Sequence, residues 1–413
     1  MLLFFLILRL FYTLMRKFLI VALVWITVQT AQAQKAIHFE KSTFAELKAK
    51  AKLENKLIFL DGYTSWCAPC KWMEGNTFLD PAVADFYNAN FINTKFDCEV
   101  GEGIEIAKKY AIRSFPTYLF LDAEGELVYR TQSRMDAKEF LEEGKRAFSK
   151  DYHLPTLRAQ FAAGDRSPEF LIRYYVVMSK ADQEQADAAK QALNALADPS
   201  FLKSEAGWEV INLLAQNGQD KFGMFFMENK DYFKSVASAE DFDKKELQLL
   251  RYSMYNYIRS KDKAAFDKGL VYFAESADRE KQVDAAMYKV EWVGSHGTDA
   301  EFVKLTTDLS KGTLKEEADK LSFIARRYAN NKYATNKEPS KAILEQCYNM
   351  AKQAVKLDEN SYSNQGTLAE ICITLKKKKE AIKAAEAARM LAELETSKII
   401  NIADKLLERA KNI

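Results

Sequence analysis

Hydrophobic and polar positions follow two different patterns on either side of residue 150. Between residues 34 and 150, segments with helical spacing alternate with short apolar runs that are typical of buried strands. The predicted strands are 57–60, 91–96, 118–121 and 126–130, and the predicted helices are 42–53, 67–77, 103–110 and 136–148, with a short helix beginning at 80–81. This alternation predicts an α/β sandwich.

From residue 151 to residue 413 the pattern predicts helices and no strand. Segments with helical spacing lie at 168–180, 183–197, 244–257, 264–277, 282–292, 314–329, 340–357, 367–377, 380–393 and 398–411. Trp208, Phe222, Phe225, Phe226 and Trp292 are expected to pack between these helices. The expected architecture is therefore an α/β domain at 34–150 followed by an all-α domain at 151–413.

Small residues recur at a fixed interval near the C-terminus. Ala354 and Ala388 are separated by the same interval as Cys347 and Ala381. That interval matches the roughly 34-residue period of the tetratricopeptide repeat, whose small residues allow paired helices to approach closely. Residues 340–394 resemble a degenerate repeat of this kind, without its closing proline.

The first 33 residues have the pattern of a secretory signal peptide. Arg16 and Lys17 precede an apolar segment at 18–28, and alanines at 31 and 33 supply the small residues of a cleavage site. Met15 stands directly before Arg16 and is the expected start. Cleavage would leave a mature chain in the periplasm or otherwise exported, with no membrane attachment.

An uncleaved anchor is the alternative interpretation of this segment. Residues 1–28 are mostly apolar and long enough to span a bilayer. Arg9, Arg16 and Lys17 interrupt the apolar stretch, and we therefore favour cleavage.

Composition narrows the classes of function. The chain has 413 residues, with 60 Lys and Arg against 58 Asp and Glu, and a net charge of +2. This balance gives no electrostatic support for a nucleic-acid partner. Five cysteines exclude a disulfide-dense scaffold, and three scattered histidines leave little for a metal site or a Ser-His-Asp triad.

Cys67 and Cys70 form a C-x-x-C motif, which is typical of either zinc binding or redox chemistry. Zinc would need two more ligands, but the nearest other cysteine is Cys98 and the histidines are dispersed. The motif lies where a predicted strand meets a predicted helix, and the helix N-terminus stabilises a thiolate on Cys67. Cys70 lies one turn further and can close a disulfide with it, while Pro69 fits the first turn and stiffens the loop. The sequence therefore favours a redox pair.

Three features of residues 34–150 are shared with one family. Trp-Cys-Ala-Pro-Cys-Lys at 66–71 is close to the signature Trp-Cys-Gly-Pro-Cys-Lys, and residues 111–117 match an Ile-Arg-x-x-Pro-Thr segment whose proline is cis. Asp61 stands at the place of a buried acid. On these features the domain resembles the thioredoxin family. Residues 77–83 also resemble secreted thioredoxin-like proteins and the C-terminal domain of the transmembrane thiol:disulfide interchange protein.

The resemblance implies a role for each catalytic residue. Cys67 would be the exposed nucleophile that forms a mixed disulfide, and Cys70 the more buried thiol that resolves it. Asp61 would act as general base for Cys70. Lys95 would face Asp61 and modulate its pKa, unless it is an ordinary strand lysine.

The resemblance also implies a substrate-binding edge. Pro116 in cis would place the Phe115 backbone against the substrate chain. Trp66 would shield the active site and contact substrate, or would only pack. Two positions depart from the family pattern: Ala68 replaces a glycine, and Thr131-Gln132-Ser133 stands where the family has a glycine near the end of the last strand.

The expected function is that of an exported thiol-disulfide oxidoreductase, more specifically a protein-disulfide reductase. It would need no cofactor and no metal, because the Cys67–Cys70 pair is itself the redox-active group. It would act on protein or peptide disulfides and receive electrons from an unidentified donor. The alternatives are a helical scaffold that binds a protein partner through residues 151–413, with an auxiliary redox domain, and a disulfide isomerase.

The remaining three cysteines are expected to be small buried hydrophobes. Cys98 as a third redox thiol, and a bridge between Cys347 and Cys372, are the alternatives.

Overall fold

The computed structural model describes residues 36–330, 338–393 and 397–413. The predicted signal segment at 1–33 lies outside these residues. The chain divides into two compact units between Ala188 and Ala189. The first unit contains the α/β domain and the C-x-x-C motif, and the second unit is helical.

A four-stranded sheet forms the centre of the first unit. Its strands lie in the order β2-β1-β3-β4, and they are β1 (Leu57–Tyr63), β2 (Phe91–Asp97), β3 (Thr117–Leu121) and β4 (Leu127–Gln132). β1 is parallel to β2 and antiparallel to β3, and β4 is antiparallel to β3. β1 is therefore an interior strand, which explains its continuous run of buried side chains. The four predicted strands are confirmed.

Five helices belong to the α/β domain, and side chains at their N-termini explain where several of them begin. Thr43 and Asp136 form capping boxes, and Asp80 accepts hydrogen bonds from the first turn of the helix that follows it. The predicted helix at 67–77 is shorter than expected, because it ends at Gly75 and a 3₁₀ turn follows at Thr77–Leu79. The helices are α1 (Phe44–Glu54), α2 (Ala68–Gly75), α3 (Pro81–Asn90), α4 (Glu102–Lys109) and α5 (Ala137–Phe148).

The two faces of the sheet are buried against different side chains. One face is aromatic, and the rings of Tyr87 and Phe140 stack there with centroids 4.7 Å apart. The other face is largely aliphatic and includes Leu60 and Leu119, both fully buried. Burial on both faces fixes the register of the strands and therefore the positions of the side chains at their ends.

Two more helices pack against β4 within the first unit. They are α6 (Leu154–Ala162) and α7 (Pro168–Ala181). Lys180 of α7 donates to Glu143 Oε2 at 2.8 Å and to Thr131 Oγ1 at 3.3 Å. The Glu143 side chain is only 7% exposed, and Tyr129 and Arg146 also donate to it. The first unit thus continues to Ala188, past the change of sequence pattern at residue 150.

The described residues of the second unit form helices and no strand, as the sequence predicts. The division lies within α8 (Gln183–Leu196). The helices that follow are α9 (Pro199–Leu202), α10 (Glu205–Leu214), α11 (Lys221–Glu228), α12 (Lys230–Val236), α13 (Ala239–Ser260), α14 (Lys263–Ala274), α15 (Arg279–His296), α16 (Asp299–Lys311), α17 (Ala318–Tyr328), α18 (Lys341–Leu357), α19 (Tyr362–Thr374), α20 (Lys378–Ala392) and α21 (Ser397–Lys411).

Several helices lie where the sequence pattern predicts none, including α6, α10, α11 and α16. α11 shows one reason, because its eight residues are fewer than the roughly 11 to 18 over which a helical period can be recognised. Phe226 is fully buried and its ring lies 5.9 Å from that of Trp208. The expected packing of these aromatic residues between helices is confirmed.

The small residues at the recurrent C-terminal interval lie in helix contacts. Ala354, Ala388, Cys347 and Ala381 are each 0% exposed. This burial is what close helix pairing requires. The resemblance to a tetratricopeptide repeat itself stays a prediction. None of the helices formed by the described residues is both long and apolar enough to cross a bilayer.

Candidate active site

Cys67 and Cys70 form a disulfide at the start of α2. Their sulfur atoms are 2.00 Å apart and their Cα atoms 5.3 Å apart. Cys67 is the N-cap residue of α2, and its Sγ accepts a hydrogen bond from the Cys70 amide at 3.1 Å. Pro69 occupies the first turn, where a missing N–H costs nothing. After reduction, the same amide and the helix dipole favour a thiolate on Cys67.

The expected difference in exposure between the two cysteines is absent in this disulfide form. Cys67 and Cys70 are each 3% exposed. The exposed surface of the motif comes from Ala68 and Pro69 instead. Access to Cys67 therefore depends on the neighbouring side chains and cannot be judged from its position in the motif.

Asp61 lies inside the sheet near the end of β1. It is 1% exposed, and its Oδ1 atom has no hydrogen-bond partner among the described residues. The pKa of Asp61 is raised to about 7, mainly by burial and also by the charge of Glu74, while the charge of Lys95 acts in the opposite direction. A carboxyl group with this pKa can accept and release a proton near neutral pH.

Lys95 lies on β2 directly beside Asp61, its partner in the parallel ladder. Its ammonium forms an ion pair with Glu74 Oε1 on α2, and both side chains are about one-third exposed (34% and 39%). Sequence reasoning missed Glu74. The available signal was its position one helical turn after Cys70, on the same side of α2.

The loop before β3 brings the predicted substrate-binding residues beside the disulfide helix. The Phe115–Pro116 peptide bond is cis, which confirms the predicted conformation of Pro116. Trp66 packs edge-to-face against Phe115, with ring centroids 5.8 Å apart, and donates to Glu99 Oε2 at 2.8 Å. Trp66 and Phe115 are both half-buried. They therefore form a partly exposed aromatic pair next to the motif.

Ser133 stands where the family has a glycine and adopts a conformation that favours glycine. Its φ is 85°, and its amide donates to the Pro116 carbonyl at 3.1 Å. This hydrogen bond ties the end of β4 to the cis-proline loop. The chain therefore keeps the backbone geometry at this point and accepts the strain of a side chain there.

The other three cysteines are buried free thiols. Burial raises the pKa of Cys98 and of Cys347 to about 12 and that of Cys372 to about 11. The bridge between Cys347 and Cys372 that the sequence allowed is not formed. Within the described ranges, no cluster of His, Cys, Asp and Glu side chains could hold a metal ion.

A strand that leads into a C-x-x-C helix, a buried acid on that strand and a cis-proline loop beside it define a thioredoxin-like domain. Residues 44–148 match the family model described as a thioredoxin-like domain.

Known proteins resemble this part of the chain. Thiol:disulfide interchange protein DsbD from Photorhabdus laumondii is 30% identical over 29% of this chain and 21% of its own length. Thioredoxin-1 from Drosophila melanogaster is 38% identical over 16% of this chain and 59% of its own length. The chain thus spans about a fifth of the first of these relatives and less than two thirds of the second.

A solved structure is also similar to this part of the chain. It is a Bacteroides thetaiotaomicron protein proposed to be a disulphide-isomerase, and it is 44% identical. The match covers 28% of this chain and 96% of that one, with a TM-score of 0.27.

Proposed function

We propose that this protein is an exported thiol-disulfide oxidoreductase that reduces protein or peptide disulfides through Cys67 and Cys70. The observation that carries the proposal is the disulfide in the first turn of α2 together with Asp61, a buried acid whose pKa is about 7. The two thiols hold the electron pair themselves, and the reaction therefore needs no cofactor. The similarity to a thiol:disulfide interchange protein supports the same chemistry.

The reaction proceeds through a mixed disulfide. The Cys67 thiolate attacks one sulfur of the substrate disulfide, and the other substrate sulfur leaves as a thiolate that takes a proton from solvent. Asp61 then accepts the proton of the Cys70 thiol, directly or through one water. The Cys70 thiolate attacks Cys67 Sγ, and the second substrate thiol is released. The protein ends as the disulfide, and an external electron donor returns it to the dithiol.

The substrate binds at the aromatic edge of the site, which Trp66 and Phe115 form. By the family resemblance, the backbone of Phe115 beside Pro116 pairs with the substrate chain through β-type hydrogen bonds. Trp66 packs on Phe115 and adds apolar contact for the substrate. Lys95 acts on the chemistry by lowering the pKa of Asp61.

Insulin reduction by the whole chain tests the mechanism. Cys67→Ser is expected to abolish activity, and Cys70→Ser to accumulate mixed disulfides that a non-reducing gel detects. Cys98→Ala is the matched control, because this buried thiol lies outside the pair and should leave the rate unchanged. Full activity in Cys67→Ser, or no trapped substrate in Cys70→Ser, would rule out the two-thiol scheme.

A redox titration against glutathione tests the direction of transfer. A reductase is expected near the potential of thioredoxin, about −270 mV, and a potential above that of protein disulfide isomerase, about −180 mV, would contradict it. Refolding of scrambled ribonuclease distinguishes the isomerase alternative, because only an isomerase would restore activity without net reduction.

The exported location is tested at the N-terminus of the protein recovered from cells. Removal of residues 1–33 predicts a mature chain that begins at Gln34 and is found in the periplasmic fraction. A chain that keeps its first residues and sediments with membranes would support the anchor instead.

The scaffold alternative predicts that the C-x-x-C pair is not required for function. If the helical residues 151–413 carry the function by binding a partner protein, a Cys67→Ser/Cys70→Ser chain should replace the wild type in cells. Loss of function in that variant, at normal protein levels, would favour the redox role.

A further inference from the structure

Two buried polar atoms without partners lie on neighbouring strands beneath the active site. Asp61 of β1 and Tyr118 of β3 are directly opposite each other in the antiparallel ladder. Directly opposite residues place their side chains on the same face of a sheet, with Cβ atoms about 5 Å apart. Asp61 Oδ1 and the Tyr118 hydroxyl are both buried, and neither has a hydrogen-bond partner among the described residues.

The ring of Tyr118 is held firmly in the aromatic face of the sheet. Its centroid lies 5.0 Å from that of Phe140, 6.0 Å from Phe59 and 6.3 Å from Phe78. Tyr118 is 0% exposed. A phenylalanine would fill the same space without burying a hydroxyl, and a buried hydroxyl without a partner is destabilising. The hydroxyl of Tyr118 therefore needs an explanation other than packing.

The charge of Asp61 also acts on Tyr118. Burial is the main cause that raises the pKa of Tyr118 above its ordinary value, and the charges of Asp61 and Tyr87 raise it further. Tyr118 therefore stays protonated and can act only as a hydrogen-bond donor to a carboxylate.

We infer that Tyr118 is a positioning residue for Asp61: the Tyr118 hydroxyl donates to the ionised Asp61 carboxylate through one bridging water. The inference rests on the proposed role of Asp61 as the base for Cys70. A hydrogen bond to the charged form of an acid favours that form. Tyr118 thus keeps part of Asp61 ionised near neutral pH, ready to accept the proton of Cys70, while Tyr118 keeps its own proton.

The other groups that face Asp61 act through charge and can be separated from Tyr118. Glu74 faces it from α2 and Lys95 from β2, and each is partly exposed. Tyr63 on the same strand and Cys98 after β2 also sense its charge. Added salt screens partly exposed charges, whereas it leaves a hydrogen bond from a buried neutral hydroxyl unchanged.

The test is the titration of Asp61 in the reduced whole chain, observed by NMR with ¹³C-carboxyl-labelled aspartate. Asp61→Asn identifies the resonance. In Tyr118→Phe the pKa of Asp61 is expected to rise by about 1, the size of one charge-assisted hydrogen bond. The rise should persist at high salt. In a Cys67→Ser background, the pH profile of Cys70 alkylation should move upward with it.

Two matched variants serve as controls. Tyr129→Phe removes another buried phenol, which donates to Glu143, and it should leave the titration of Asp61 unchanged. Thr64→Val removes the hydroxyl of Thr64, which is also buried without a partner. A shift in Thr64→Val with none in Tyr118→Phe would assign the donor to Thr64 and overturn the inference.

An unchanged titration of Asp61 in folded Tyr118→Phe would also overturn it. If that variant fails to fold, the wild type still tests the inference. We expect a slowly exchanging tyrosine hydroxyl proton that disappears in Asp61→Asn. Absence of this proton signal at a pH where Asp61 is ionised refutes the contact. Failure of the wild type to reduce insulin, with the Tyr118 effect intact, would count against the reductase function alone.

Discussion

Asp61 should govern how the stability of the first unit depends on pH. Its pKa is about 7 in the folded protein, against an ordinary value of 3.8. The difference is about three pKa units, and each unit corresponds to about 1.4 kcal/mol, giving roughly 4 kcal/mol. Because the folded pKa is raised, the folded state holds this proton more tightly than the unfolded state. The cost is therefore absent below about pH 4, grows between about pH 4 and pH 7, and is complete above that range.

Asp61→Asn removes the titrating group and keeps a similar shape. In the oxidised protein the variant should be close to wild-type stability near pH 4 and more stable by up to about 4 kcal/mol near pH 8. Hydrogen exchange of the β1 amides at each pH measures the free energy of unfolding of the first unit without a contribution from the second.

The exposed Asp151 provides the control for this measurement. Asp151→Asn makes the same chemical change at an exposed position and therefore controls for the substitution itself. A difference between Asp61→Asn and the wild type that does not change from about pH 5 to about pH 8 would refute the assignment of a raised pKa to this carboxyl group.

Three further predictions concern residues outside the catalytic pair. Lys180→Met should destabilise the first unit by about 2 kcal/mol, because Glu143 stays buried with only Arg146 and Tyr129 as partners. These contacts hold the pKa of Glu143 below its ordinary value despite its burial. The loss of unfolding free energy in Lys180→Met, measured with urea, should therefore shrink as the pH falls through the pKa of Glu143. Lys145→Met is the control and should have little effect, because Lys145 pairs with Glu142 at the surface. Ser133→Gly should raise the melting temperature by relieving about 1 kcal/mol of strain at φ 85°, and an unchanged or lower melting temperature would contradict it. The buried thiols of Cys98, Cys347 and Cys372 should resist alkylation near pH 8 until urea unfolds the chain, because burial raises each pKa to about 11 or 12. Rapid labelling of Cys98 in the folded protein would contradict this and would support Cys98 as a third redox thiol.

The local sequence was sufficient to predict those structural features whose physical cause lies within one short segment of the chain. The apolar run at 57–60 predicts a strand buried on both faces, and β1 is such a strand. The helix starts predicted at 42 and 136 lie within one residue of the observed caps Thr43 and Asp136, because a side-chain cap acts within its own first turn. The C-x-x-C motif predicted a redox pair at a helix N-terminus, since its spacing alone sets the two sulfurs one turn apart.

Helices without a clear apolar period were beyond this reasoning. α11 has only eight residues, which is too short a window for its apolar period to be recognised. The contacts of α7 with β4 and α5 were equally hidden, because Lys180 donates to Thr131 and Glu143, which are 49 and 37 residues away along the chain.

The sequence by itself determined the strand-to-helix frame and the pair of sulfurs, because each follows from short-range chemistry, and the family resemblance added the acid before them and the lysine on the neighbouring strand. Only the tertiary structure decided what else surrounds that acid: Glu74 from a helix and Tyr118 from the strand on the other side. It also decided that both active-site cysteines are equally buried in the disulfide form. The physical reason is that desolvation and charge depend on distance in space, and segments far apart in the chain set those distances when the sheet forms.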